Sequence, residues 1–181
     1  MAIRNAPVAS GRDKSRARTG NLFYEGRMSW NLEQSVDAAF VAYLRPLLSG
    51  SLKVYPSCTN EVLEFPCVVI HAGAGENEND EIGFNGHRRI NVSVLVMVES
   101  AAELDESGVQ VKSALQRISD IRGDVMGPLA KLQLETDLNA VNSPGVKFSL
   151  AQVTNTPDVV FEGRTFIAEI NVEVIANPVQ I

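Results

Sequence analysis

The sequence is poor in the residues that carry chemistry. It holds 2 histidines and 2 cysteines among 181 residues. Two cysteines, Cys58 and Cys67, are too few for a disulfide framework, and reduced thiols in a cytoplasmic setting are expected. Neither C-x-x-C nor the short histidine pair of a zinc finger occurs, so Cys58, Cys67, His71 and His87 do not have zinc-site spacing. Cys67 lies in an apolar run, where a cysteine reads as a small buried hydrophobe. The G-x-S-x-G elbow and the H-E-x-x-H helix are missing as well, and no enzyme and no cofactor are expected. Long apolar runs are absent: none approaches the ~20 residues of a membrane helix, and residues 1–22 lack a signal peptide's apolar segment. No membrane partner is expected. Aromatic residues make up 6% of the chain, with a single tryptophan, Trp30. No internal repeat of fixed period is present.

What is present is first an uneven charge. The total is -6, yet through Arg27 the chain carries Arg4, Arg12, Lys14, Arg16, Arg18 and Arg27 against only Asp13 and Glu25. A segment of net +4 thus precedes a body of net -10. Residues 1–27 are rich in Arg, Ser, Gly and Asn and read as a basic extended or disordered arm. Such an arm docks on something negative, either nucleic acid or the acidic body of a neighbouring copy. Arg12, Lys14, Arg16 and Arg18 supply its charge, and Phe23, Tyr24 and Trp30 are its candidate apolar anchor. Residues 28–181 have the hydrophobic content and length of a single domain.

The clearest pattern is strand alternation. Ile90, Val92, Val94, Val96 and Val98 share one face of a strand over 87–99, opposite Asn91, Ser93 and Glu99. Phe166, Ala168, Ile170, Val172 and Val174 repeat the pattern over 164–176, opposite Thr165, Glu169, Asn171 and Glu173. Shorter strands are expected over 52–55, 66–71 and 147–153. One helix is expected over 31–48, on the stripe Leu32, Val36, Phe40, Tyr43 and Leu47. A second is expected to begin near Ser107, whose spacing to Gln110 fits a capping box. Its stripe would be Val111, Ala114, Leu115, Ile118 and Ile121, and Gly123 would end it. A short helical piece is then expected through Leu132. The order predicts an α+β domain: a mostly antiparallel sheet of four or five strands, helices packed on one face, the two long strands near neighbours. The wetter sheet face also carries Leu95, Met97, Ile167 and Ile175, a mixture better suited to subunit contact than to bulk water.

Two motifs fail on inspection. Gly73-Ala74-Gly75 precedes Glu76, Glu78, Asp80 and Glu81, which would repel a phosphate. The same acids do not make an EF-hand, because the sixth position from Glu76 is Glu81 and the twelfth is His87. The stretch 76–83 reads as an exposed hairpin connection. Arg88 and Arg89 point to opposite faces of their strand and so do not form one phosphate clamp. One is placed to snorkel at the sheet end and the other to reach a carboxylate, a neighbouring subunit's among the candidates.

From Phe65-Pro66-Cys67-Val68-Val69-Ile70-His71-Ala72-Gly73, through the acidic loop, to Gly86-His87-Arg88-Arg89-Ile90-Asn91-Val92-Ser93-Val94, the chain resembles phage tail-terminator or tail-completion proteins. The resemblance spans about 32–176 and does not include the arm. It implies a structural virion protein of the tail or neck, assembled in the host cytoplasm. Such a protein forms a homohexameric ring that caps the tail tube, joins it to neck and connector proteins, and lets DNA pass without specific binding. The acidic body agrees with weak DNA contact, since holding DNA needs dense Lys and Arg. Three other readings stand beside it: another neck or head-completion connector, a nucleic-acid-binding module with a basic arm, and an enzyme whose site is assembled across subunits.

Overall fold

The computed structural model describes residues 22–48, 50, 52–77, 87–101, 103–104, 107–108, 110–141 and 145–179. Arg12, Lys14, Arg16, Arg18 and the acidic stretch 78–86 lie outside them, as do the side chains of Phe23, Tyr24 and Trp30. The elements run α1 (Leu22–Leu44), β1 (Lys53–Pro56), β2 (Cys67–Ala72), β3 (Glu76–Asn77), β4 (Arg88–Glu99), β5 (Glu103–Leu104), β6 (Gln110–Lys112), α2 (Ala114–Leu129), α3 (Leu134–Ala140), β7 (Val146–Asn155), β8 (Val160–Glu162) and β9 (Thr165–Pro178).

The two alternating runs become the centre of the sheet. β4 and β9 pair antiparallel from Arg88 opposite Ala176 to Glu99 opposite Thr165. Ile90, Val92, Val94, Val96, Val98, Ala168, Ile170, Val172, Val174 and Ala176 are all fully buried on the inner face. The sheet order is β1-β2-β4-β9-β7, with β3 added to β4 and β8 to β9. Every pair is antiparallel except β1 with β2, whose strands run parallel. This is the expected α+β sheet, with two short strands added to a five-strand path. β7 and β8 lie on the same side of β9 and are separated by 156–159. Arg122 of α2 holds that break, donating from Nη2 to the carbonyls of Thr156 and Pro157 at 2.8 and 3.0 Å. Gly163, at φ +62, makes the tight turn from β8 to β9, where a side chain would be strained.

The helices cover the inner face. Leu32, Val36, Phe40, Tyr43 and Leu44 of α1, Ile118, Val125 and Leu129 of α2, and Leu134 and Leu138 of α3 join one core with the strands. Phe40 meets Phe148 edge-on at 6.3 Å between centroids. Tyr43 ties the three helices together, its hydroxyl lying 3.0 Å from the Pro128 carbonyl and 3.2 Å from Asp137 Oδ2. Its burial raises the phenol above its usual pKa.

Several boundaries differ from expectation. α1 begins at Leu22, inside the segment read as an arm, and ends at Leu44 before Pro46, so Leu47 is exposed rather than part of the stripe. The capping box exists but lies at Ser113 and Gln116. Ser107 and Gln110 share the S-x-x-Q spacing, yet Gly108 between them has φ +81, which a helix does not accommodate. α2 passes through Gly123 and Pro128 to Leu129, and Leu115 on it is exposed. α3 is an additional helix, carried by only two buried positions, Leu134 and Leu138.

Both sheet edges are met by side chains from the helical layer. Asn139 of α3 takes the N–H and the C=O of Phe148 on β7, at 2.8 Å each. Beside β1, Arg45 donates to the carbonyl of Val54 at 2.9 Å. A free strand edge is a template for further strands, and these contacts occupy part of it.

Candidate interaction surface

No helix lies against the second face of the sheet among the described residues, and it is built by the odd-numbered positions of β2, β4 and β9. Strand register places Cys67 beside Met97, Met97 beside Ile167, and Ile167 beside Val160. The next row is Tyr55, Val69, Leu95 and Glu169. Val69, Leu95, Met97 and Ile167 are half-buried, and Val160 is 52% exposed. These five form an apolar patch at the end of the sheet where β4 finishes and β9 starts. Cys67 and Tyr55 are buried outside the main core, beside the loop 57–66, whose Glu64 N–H reaches the Tyr55 hydroxyl at 3.5 Å. Burial pushes the Cys67 thiol up to about 11, so it is neither a thiolate nucleophile nor a ready metal ligand.

Acids flank this patch. Glu99 and Glu162 stand beyond it on either side of Thr165, and Glu169 faces Leu95 from β9. None of the three forms an ion pair among the described residues. The other end of the face is polar and internally paired. Ser93 donates to Asn171 Oδ1 at 3.1 Å, and Gln152 to Glu173 Oε2 at 3.3 Å. Arg89 Nε lies 3.0 Å from Glu173 Oε1. The carboxylate expected for one of the Arg88–Arg89 pair is therefore met within this chain, by the arginine on the outer face. Arg88 falls on the opposite face of β4, half-buried against Gly75.

One buried charged group escapes sequence reading. Asp37 on α1 is 4% exposed. It accepts from the Ala72 N–H at 2.7 Å and the Ser57 hydroxyl at 2.8 Å, joining α1 to the end of β2 and to the loop after β1. Burial raises its pKa, and the bonds from Ser57 and Ala72 and the field of His71 offset part of the rise. The only sequence signal is an acid next to Val36 in the apolar stripe.

Among the described residues no group of three or more His, Cys, Asp or Glu side chains is placed to hold a metal ion. No helix among them is long and apolar enough to cross a membrane. No protein-family model matches the chain, and no curated protein matches it. Among solved structures, the chain is similar in fold to a protein in the "Virion of native gene transfer agent (GTA) particle". The TM-score is 0.53 at 13% identity, covering 82% of this chain and 99% of that one.

Proposed function

We propose that the chain is a non-enzymatic structural protein of a phage-like virion, acting at the tail or neck as a tail terminator. In this reading it forms a hexameric ring that caps the tail tube, meets neck proteins on its other side, and assembles in the host cytoplasm. The observation that carries the proposal is the one-sided construction of the sheet. The helices bury the inner face, while the outer face presents Val69, Leu95, Met97, Ile167 and Val160 between acids that form no ion pair among the described residues. A patch of that composition suits contact with another protein better than either solvent or nucleic acid. The shared fold with a protein of a gene transfer agent virion supports a virion role, as does the resemblance in wording around 65–94. The acidic body agrees with a channel that DNA crosses without being held.

Native mass spectrometry with negative-stain imaging of the full chain tests this reading. A closed ring of six is the expected result. A larger closed ring would favour another connector of the neck, and a monomer that binds DNA through its arm would favour the nucleic-acid module.

A further inference from the structure

α1 is 23 residues long and begins well before its described contacts with the sheet. Asp37 is already bonded to Ala72, where β2 ends, and Ser35 Oγ lies 3.2 Å from where a side-chain carbon on Gly145 would stand, just before β7 begins. Leu32, a turn nearer the start, is still in the core, and at the other end Arg45 reaches Val54, level with Val68 and Val96, so the start of the helix points away from that end of the sheet. At about 1.5 Å per residue, Leu22 stands about 20 Å beyond Ser35 along the axis. The apolar spacing of the helix does not stop with the sheet. Counting back from Leu32 in steps of four gives Met28 and Tyr24, and Phe23 and Trp30 fall in the same stretch.

The outer apolar patch lies toward the opposite end of β4 from the Ala72 and Gly145 contacts, and on the face away from the helices. Leu95 is more than about 20 Å along β4 from Arg88, at roughly 3.3 Å per residue. The start of a chain's own α1 therefore cannot lie on its own patch, whereas that of a second copy can. The charges also match. The segment through Arg27 carries net +4, and the patch is bordered by Glu99, Glu162 and Glu169. We propose that the N-terminal segment of one copy, residues 1–31, docks on the outer sheet face of the next. The start of α1 would cover Leu95, Met97 and Ile167, and the basic residues before it would face the three glutamates. The contact is head-to-tail, and repetition of such a contact closes a ring when its rotation divides a full turn. The inference rests on the ring reading and assigns its subunit contact.

The test uses the full chain with a photo-crosslinking phenylalanine analogue in place of Phe23, mixed with an isotope-labelled copy. Cross-links are expected between copies, into the tryptic peptides 90–112 and 165–181. A second arm uses Leu95→Lys, which stands opposite Glu169 and so supports the sheet while removing apolar contact and repelling the arm. It should melt like the parent yet lower the assembled fraction by about tenfold or more. It should also abolish the blue shift of Trp30 emission on assembly. Closed rings with cross-links only elsewhere, or unchanged assembly of Leu95→Lys, would overturn the docking and leave the ring standing. A parent chain that stays monomeric would overturn both.

Discussion

At the scale of single residues, Asp37 and Cys67 show what burial does to an ionisable group. Asp37 has a raised pKa in the folded chain, so the fold binds its proton more tightly than the unfolded chain does. Its contribution is fully present below the unfolded value near 3.8 and is lost as pH rises through the raised folded value. Urea titrations from pH 4 to 8 should show this component in the parent and a flatter profile in Asp37→Asn. Asp37→Ala leaves the Ala72 N–H and the Ser57 hydroxyl without their acceptor and should cost about 1–3 kcal/mol at neutral pH. With its thiol pushed up to about 11 and no exposure, Cys67 should resist a thiol reagent at neutral pH until the chain unfolds, while exposed Cys58 reacts at once. Val94 is fully buried at the centre of the sheet, and Val94→Asp should cost several kcal/mol and prevent soluble folding. A soluble, cooperatively melting Val94→Asp protein would contradict the packing described. The core valines were legible because strand period is strict. The partners of Asp37 were not, because Ser57 and Ala72 reach it only through the tertiary fold.

At the scale of elements, legibility followed the strength of the local signal. β4 and β9 were readable end to end, since each alternates over many residues and one side is wholly apolar. The S-x-x-Q spacing occurs twice within ten residues, at Ser107 and Ser113, and spacing alone ranks them equally. The left-handed Gly108 decides in favour of the second, a backbone fact that the letters do not carry. Ser113→Ala should therefore lower stability by about 1 kcal/mol, whereas Ser107→Ala should leave α2 unaffected. Pro128 is a residue that breaks helix interiors, yet α2 absorbs it in its last turn, where the Tyr43 hydroxyl donates to the proline carbonyl. The outer patch was half legible: Leu95, Met97 and Ile167 stand out among polar neighbours, but Val160 joins them only through the turn at Gly163.

At the scale of the whole molecule, the charge divides a basic beginning from an acidic body, and assembly should respond to salt accordingly. Replacing Arg12, Lys14, Arg16 and Arg18 with Gln should weaken assembly most at low ionic strength and little at high salt, where exposed charges are already screened. Sedimentation across a salt series reads this directly, and an equal loss at every salt concentration would remove the electrostatic part of the argument. The side chains that meet the sheet edges have a further consequence. Asn139 occupies both backbone groups of Phe148, and Arg45 takes the carbonyl of Val54. Copies of this chain are thereby discouraged from polymerising strand to strand, a mode of growth that has no natural end. Contact through faces instead obeys an angle, and an angle that divides the circle stops growth at a definite number. The double variant Arg45→Ala, Asn139→Ala should shift the protein from particles of one size toward fibres that bind amyloid dyes. Two side chains at the margins of the sheet would then decide whether the molecule counts its copies or keeps adding them.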